Sequence, residues 1–178
     1  MIYSSVQAEA DCILNVAKAM CVSARTAPKT KGIDYIKTAI LIGEDKENLA
    51  DKMDEVADKI GFKFFKRDAN NVRVSEAVVL IGISNHTRGL NEGCQYCGFE
   101  NCTECEEKGG NCAYTTLDLG IAIGSAVSIA ADNRIDNRVM FSAGRAALEM
   151  DIFDDDICNI IAIPLSAAGK SLYFDRKS

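Results

Sequence analysis

Along much of the chain, hydrophobic and polar residues alternate with the spacing of amphipathic helices. Between Ser4 and Ala24 apolar residues recur every three or four positions, which predicts a helix with one buried face. Ser4 and Gln7 have the separation of a capping box, so we place the start of this helix at Ser4. The same spacing predicts a second helix over 49–60, and Gly61 is a typical residue for its end.

Short runs of consecutive apolar residues between the helices predict β-strands. The runs 36–43, 77–83 and 158–165 have the length of strands. Because 77–83 is apolar without interruption, we expect this strand to be covered on both faces. The aromatic run 62–65 predicts an edge strand, and 172–174 predicts a short final strand. Helices that alternate with apolar strands predict an α/β (α+β) sandwich.

One further helix is apolar around almost its whole circumference, which is typical of a helix in the interior. Thr115 and Asp118 have capping-box spacing and predict its start. Gly120, Gly124 and Ser128 follow at intervals of four residues and leave a shallow groove, where another backbone could approach closely. This helix is therefore either the central helix of one subunit or the seam of a homodimer.

Length, composition and charge narrow the class of protein. The 178 residues fit a single domain over 1–178, and 48% hydrophobic residues argues against a disordered chain. The net charge of −6 without a basic block excludes nucleic acid from the predicted partners. No charge-free apolar run reaches about 18 residues, so no membrane span is predicted. The N-terminus lacks a basic segment followed by an apolar one, so a cytoplasmic location is expected.

The strongest chemical signal is a cluster of cysteines. Five of the eight cysteines fall within residues 94–112, spaced C-x2-C-x4-C-x2-C-x6-C. In a reducing compartment such crowding indicates metal or redox chemistry before structural disulfides. We therefore predict that 94–112 is a cysteine-rich, cluster-binding insertion. The clustered cysteines are Cys94, Cys97, Cys102, Cys105 and Cys112.

Three kinds of site are compatible with this cluster: an iron–sulfur cluster, a structural zinc ion, and disulfides or free thiols. Zinc sites usually have a longer spacer between their two C-x2-C pairs than the four residues found here. A four-iron cluster is larger and accepts sulfurs from closely spaced positions, so a [4Fe–4S] cluster is favoured over zinc. The acidic residues of the loop oppose the addition of an electron, which predicts a potential in the lower half of the range for such clusters.

Residues 94–102, Cys-Gln-Tyr-Cys-Gly-Phe-Glu-Asn-Cys, resemble the C-x2-C-G-x3-C opening of a class of [4Fe–4S] domains whose fourth cysteine lies further along the chain. The resemblance implies Cys94, Cys97 and Cys102 as ligands. Cys112 is the better match for the fourth ligand, and Cys105 is the alternative. The segments that begin at Leu117 and Ile135, with Tyr-Phe-Asp-Arg near the end of the chain, resemble a family of uncharacterised ferredoxin-domain proteins from bacteria and archaea.

A second resemblance is to flavin-dependent nitroreductases. Residues 24–33 are similar to the Ala-Pro-Ser loop of these enzymes, and the apolar helix from Leu117 is similar to their central dimer helix. This implies a nitroreductase-like fold and FMN as a second cofactor. Cations that could then hold the FMN phosphate lie in two parts of the chain, although all of them could equally be solvated surface charges. These residues are Arg25, Lys29, Lys31, Arg138 and Arg145.

His86 is the only histidine, which excludes any site that needs two imidazoles. It is interpreted as a hydrogen-bonded loop residue or, alternatively, as a residue facing the cysteine loop. The acidic run 154–156 is interpreted as a solvated turn, because no spaced set of oxygen ligands surrounds it.

The predicted function is that of an iron–sulfur redox protein that exchanges electrons with a partner protein or a small-molecule acceptor. Two alternatives stay open. One is an FMN-dependent, nitroreductase-like reductase with an auxiliary cluster, and the other is a zinc-stabilised binding module. No catalytic residue is identified.

Overall fold

The computed structural model describes residues 2–153 and 156–174. Ten helices and strands follow one another within these residues, and single 3-10 turns lie at Thr30–Gly32 and Asn91–Gly93. In chain order the elements are α1 (Ser5–Thr26), β1 (Ile36–Leu41), α2 (Gly43–Ile60), α3 (Phe64–Arg73), β2 (Ala77–Ser84), α4 (Cys102–Glu107), α5 (Ala113–Asp132), β3 (Asp136–Asn137), α6 (Phe141–Ala147) and β4 (Ile157–Ser166).

The strands form one sheet in the order β1-β2-β4-β3, and every neighbouring pair is antiparallel. Every residue of β2 is buried, as its uninterrupted apolar sequence predicts. Alternate side chains of β2 point to opposite faces of the sheet. Val79 and Ile81 pack with α1 and α5 on one face, whereas Val78 and Leu80 pack with α2, α3 and α6 on the other. The result is a helix–sheet–helix sandwich, so the predicted fold class is confirmed.

The start of the first helix also agrees with the sequence. The Ser4 hydroxyl accepts a hydrogen bond from the Gln7 backbone N–H at 3.3 Å, and the Gln7 side chain accepts one from the Ser4 backbone N–H at 3.2 Å. This reciprocal pair is the predicted capping box. Further along, α1 and α5 are joined by their serines, since each of Ser23 and Ser125 donates its hydroxyl to the other's carbonyl oxygen.

Two predicted strands are wrong. Phe64 begins α3, in which Phe65, Ala69 and Val72 form a buried face with helical spacing. The segment 172–174 is a turn rather than a strand. It is held by a side chain, because the Tyr173 hydroxyl lies 2.9 Å from the Ser75 hydroxyl in the interior.

Of the described residues, α5 alone forms a helix long and apolar enough to cross a bilayer. In this fold it packs against α1 and β2. It also carries a buried aspartate that is paired with an arginine from another segment. These contacts are those of a central helix in a folded domain.

Candidate metal centre

The five clustered cysteines line one pocket, which lies between the loop that leaves β2 and the start of α5. Cys105 and Cys112 are buried, while Cys94, Cys97 and Cys102 are partly exposed. The other three cysteines lie elsewhere, two on α1 and one on β4. The fold therefore brings together all five cysteines of the predicted insertion.

The loop turns tightly around this pocket. Gly98 adopts φ +83°, a left-handed conformation that a side chain would strain. Cys102 and Cys105 lie three residues apart on α4 and thus on one side of it. This short helix is capped by Asn101, whose side-chain oxygen accepts a hydrogen bond from the Glu104 N–H at 2.9 Å.

Backbone N–H groups point at two of the sulfurs. The Asn91 N–H donates to Cys102 Sγ at 3.4 Å, and the Tyr96 N–H donates to Cys94 Sγ at 3.5 Å. Hydrogen bonds to sulfur stabilise electron-rich thiolates and are one of the means by which proteins tune iron–sulfur centres. The geometry of the loop is thus suited to holding negative charge on sulfur.

Cys105 is the innermost of the five, with no solvent-exposed surface. Burial, as the largest cause, together with the hydrogen bond and charge of Cys97 and the charges of Cys112 and Cys102, raises the pKa of its thiol to about 11. Cys105 therefore sits among three of the predicted ligands rather than beside the site. Whether Cys105 or Cys112 is the fourth ligand stays a prediction.

Within 2–153 and 156–174, no group of three or more His, Cys, Asp or Glu side chains is arranged to hold a metal ion. The five cysteines share a pocket without converging as closely as the ligands of one ion do. A tetrahedral zinc site needs four donors at about 2.0–2.3 Å from a single point.

The loop that leaves β2 supports the cysteines from one side. The Asn85 side chain donates to the Gly110 carbonyl at 3.0 Å and accepts from the Cys112 N–H at 3.2 Å. Two residues further on, the Thr87 hydroxyl donates to the Glu106 carboxylate. Asn85 and Thr87 went unnoticed in the sequence, where the only signal is a short polar run directly after a fully buried strand.

Behind this loop lies a buried ion pair that sequence reasoning also missed. The Arg88 guanidinium contacts Asp118 with Nη2 and Nε at 3.0 and 3.3 Å from Oδ2. Asp118 also accepts hydrogen bonds from the Thr30 N–H at 3.0 Å and the Thr30 hydroxyl at 2.8 Å. The predicted capping box of Thr115 and Asp118 is therefore wrong. The helix begins earlier, at Ala113, so Asp118 lies inside it.

His86 stacks its ring on Tyr35, with the ring centroids 4.4 Å apart. Its backbone carbonyl accepts a hydrogen bond from Arg88. Its imidazole is thus used in an aromatic contact at the edge of the site. For the acidic run 154–156, residues 154 and 155 lie outside the described residues.

The five cations proposed for an FMN phosphate fall into two groups. Lys29 donates to three backbone carbonyls, and Lys31 lies near Gly89 of the loop that leads to the cysteines. The other group consists of Arg138 and Arg145, which contact residues on the opposite face of the sheet. Four of these cations pair with carboxylates: Arg25 (2.8 Å) and Lys29 (3.8 Å) with Asp34, Arg138 with Asp68 (3.7 Å), and Arg145 with Glu149 (2.8 Å). The structure does not bring the five together, and a flavin role for either group stays a prediction.

Comparison with known proteins identifies the family. The profile of a family described as "Uncharacterized protein containing a ferredoxin domain (DUF2148)" matches residues 108–176. An uncharacterized protein from Archaeoglobus fulgidus is 47% identical over 166 residues, which cover 88% of each chain. The chain belongs to this ferredoxin-domain family. The profile match begins inside the cysteine loop and includes Cys112, whereas the relative matches nearly the whole chain.

Solved structures show which fold this ferredoxin-domain protein adopts. A nitroreductase with bound FMN from Desulfitobacterium hafniense superposes with a TM-score of 0.56 at 12% identity, over 96% of this chain and 81% of that one. A nitroreductase from Lactococcus lactis in complex with chloramphenicol gives 0.58 at 11% identity, over 90% and 79%. A BluB-like flavoprotein from Clostridium difficile gives 0.52 at 15% identity, over 100% and 85%. The predicted nitroreductase-like fold is therefore confirmed.

Proposed function

We propose that this protein is an iron–sulfur redox protein that holds one [4Fe–4S] cluster in the cysteine pocket. The observation that carries the proposal is that all five cysteines of 94–112 line one pocket, in a chain of a ferredoxin-domain family. Cys94, Cys97, Cys102 and Cys112 would hold the cluster, with Cys105 as the alternative fourth ligand. When bound, such a cluster accepts and returns single electrons.

The residues of the pocket fit this group. Thiolates are the ligands that iron–sulfur clusters require, and the N–H groups of Asn91 and Tyr96 point at two of the sulfurs. The two C-x2-C pairs are separated by only four residues, whereas zinc sites usually have a longer spacer. This favours an iron–sulfur cluster over a zinc-stabilised module.

The surface of the cysteine loop supports an electron-transfer role. Glu100, Glu106 and Glu107 are exposed around the pocket. Acidic side chains of this kind steer a basic partner to the site. They also disfavour the added negative charge of the reduced state, so a potential in the lower half of the known range is expected.

A second candidate is an FMN-dependent reductase with an auxiliary cluster. It is favoured by the fold, since structural neighbours include a nitroreductase with bound FMN. In this alternative the cluster would exchange electrons with the flavin. Lys31 lies nearer to the cysteine loop than the cations on the other face of the sheet, because its Nζ is 3.8 Å from the Cβ position of Gly89.

Homodimerisation along α5 is part of the proposal. The groove residues Gly120, Gly124 and Ser128 lie on the exposed side of the helix. Beside them, Leu117 and Ile121 are 47% and 46% exposed, a large exposure for apolar side chains on the central helix of the fold. A second copy packed there would cover these residues. We further propose a cytoplasmic location, where reduced cysteines are maintained.

The amounts of iron, acid-labile sulfide, zinc and flavin in protein purified without oxygen test the proposed function directly. Iron and acid-labile sulfide are expected in equal amounts, at four of each per chain, with a broad absorption shoulder. Bound flavin with resolved absorption bands would favour the reductase, and zinc without iron would favour the binding module. Protein that contains neither iron nor sulfide, even after anaerobic reconstitution, would contradict the electron-transfer proposal.

Single substitutions test the choice of the fourth ligand. Cys105→Ala is expected to keep its full iron content, whereas Cys112→Ala is expected to lose the cluster, because a four-iron cluster needs four protein ligands. Cys12→Ala is the matched control, since Cys12 lies exposed on α1. Iron and sulfide per chain are measured for all three. Loss of the cluster in Cys105→Ala with retention in Cys112→Ala would make Cys105 the ligand.

A further inference from the structure

The ion pair of Arg88 and Asp118 lies in the interior, and the proposed function does not yet use it. The two side chains are only 1% and 2% exposed. A buried ion pair loses the hydration of both charges, and replacing one with apolar residues is often neutral or stabilising. The presence of this pair next to the candidate metal centre therefore calls for a role beyond stability.

The pair lies against the cysteine pocket, because Arg88 belongs to the pocket wall. Arg88 is the only charged residue among the described residues that line the cysteine pocket. Asp118 lies behind it on α5 and accepts hydrogen bonds from the N–H and the hydroxyl of Thr30. The carboxylate is thus held by Arg88 and Thr30, and Asp118 does not itself line the pocket.

The guanidinium is also fixed in place. Besides Asp118, it donates to the His86 carbonyl and lies over the ring of Tyr35, 4.7 Å from the centroid. Tyr35 is held in turn by its stacking on the His86 ring. Contacts on three sides thus hold this charge in the interior.

We propose that Arg88 is a positioning residue that raises the reduction potential of the cluster, and that Asp118 limits this effect by partly neutralising the guanidinium. The inference rests on the proposed function. A buried positive charge favours the reduced state, which carries one more negative charge, and the attraction is weakly screened in the interior. Glu100, Glu106 and Glu107 of the cysteine loop act in the opposite direction but are exposed, so solvent and salt screen them.

Two substitutions of opposite sign test the proposal. Asp118→Asn leaves the guanidinium uncompensated and is expected to raise the potential, while Arg88→Gln removes the positive charge and is expected to lower it. Each shift is expected to change the equilibrium constant of reduction about tenfold, which is about 59 mV for one electron. The potential is measured by titrating the reconstituted proteins with dithionite under an inert atmosphere and following the absorption of the cluster.

Arg73→Gln is the matched control. Arg73 pairs with Asp51 and Asp54 at 2.7 Å, on the helices of the opposite face of the sheet. Its loss removes an arginine–aspartate pair that is more exposed than that of Arg88 and lies away from the pocket, so the potential is expected to stay within about twofold of the wild-type equilibrium constant, or about 18 mV.

The signs of the shifts distinguish electrostatic tuning from a structural role. A merely structural pair would lower stability and cluster content in both variants without shifts of opposite sign. Potentials that move in the same direction, or that do not move, would overturn the proposal. Where Arg88→Gln does not yield folded protein, an upward shift in Asp118→Asn supports the inference and an unchanged potential overturns it. Wild-type protein that takes up no iron and sulfide refutes the proposed function, whereas loaded variants with unchanged potentials refute this inference alone.

Discussion

Gly110 is the residue at which the packing around the cysteine pocket is tightest. A Cβ atom at this position would lie 2.4 Å from Cε2 of the Phe99 ring and 3.0 Å from Cys105 Sγ. The second separation is shorter than an ordinary contact between carbon and sulfur. Gly110 therefore lets the chain pass directly against the ring and the innermost thiol, and the Asn85 side chain fixes it there by bonding to its carbonyl.

Gly110→Ala is accordingly expected to weaken cluster binding. The methyl group must push the Phe99 ring or Cys105 away, which displaces the wall of the pocket. Changes next to metal ligands typically lower metal affinity about 10- to 100-fold, and we expect a loss in this range. The measurement is the iron retained during incubation with a chelator.

Gly93→Ala is the control for this substitution, because it lies in the same loop and a Cβ there would meet nothing within 4 Å. It is expected to retain iron like the wild type. Equal retention in the two variants would mean that the Gly110 contact does not shape the site.

Single residues also show the limit of what the sequence reveals. The cysteines were identifiable because their crowding is a local signal that needs no knowledge of the fold. Arg88 was not, since its partner Asp118 lies 30 residues later and the two meet only when α5 packs beneath the loop. Asp118 itself was misinterpreted as a capping residue because the same spacing occurs by chance inside a helix.

At the scale of elements, the sequence predicted long helices and buried strands well and short aromatic segments poorly. The strand β2 was predictable because its run of apolar residues has one interpretation at that length. The aromatic run at 62–65 was ambiguous, since Phe62 and Phe64 suit a strand by propensity. Its helical state depends on Phe65 packing beneath α2 and α6, a tertiary contact that propensity does not contain.

The exposed groove of α5 supports a prediction about assembly. Added Cβ atoms at Gly120 and Gly124 would meet nothing within 4 Å, so the fold of one subunit tolerates larger residues there. Gly124→Leu is therefore expected to leave the thermal stability of the monomer intact and to fill the groove. If two copies pack along α5, this substitution should raise the dissociation constant of the dimer at least tenfold, about 1.4 kcal/mol.

Sedimentation equilibrium over a range of concentrations measures this dissociation constant. Asn70→Leu is the control, because residue 70 is exposed on α3, on the opposite face of the sheet. The dissociation constant of the Asn70→Leu dimer should match that of the wild-type dimer. A monomeric wild-type protein, or a dimer that Gly124→Leu leaves unchanged, would contradict packing along this groove.

For the whole molecule, the alternation of helices and strands was sufficient to predict the sandwich, since it depends on the order of elements rather than on their exact contacts. The position of the cysteine pocket in the fold could not be predicted from the order of elements. The pocket forms because β2 ends, and α5 begins, on the same side of the sheet, so that residues 85 and 112 meet. This arrangement joins a cysteine-rich loop to a nitroreductase-like fold within one chain.

The charge of the molecule leads to a final prediction. The chain carries a net charge of −6, and exposed glutamates surround the cysteine pocket. Electrostatic attraction therefore should speed electron transfer to a basic acceptor such as cytochrome c. The rate is expected to fall steeply as salt is raised, because the screening length shrinks from about 30 Å at 0.01 M to about 10 Å at 0.1 M. The measurement is the stopped-flow rate of cytochrome c reduction by the pre-reduced protein across this range.

Charge near the pocket, rather than the overall charge, should determine this salt dependence. Glu100→Gln with Glu107→Gln removes two charges beside the cysteines, whereas Glu9→Gln with Glu44→Gln removes two exposed charges on α1 and α2. The double variant at Glu100 and Glu107 is expected to reduce the salt dependence of the rate more than the double variant at Glu9 and Glu44. Only charges close to the surface where the acceptor docks attract it strongly. Equal slopes in the two double variants would show that electrons leave through a different surface, and the cysteine loop would then not be the docking site.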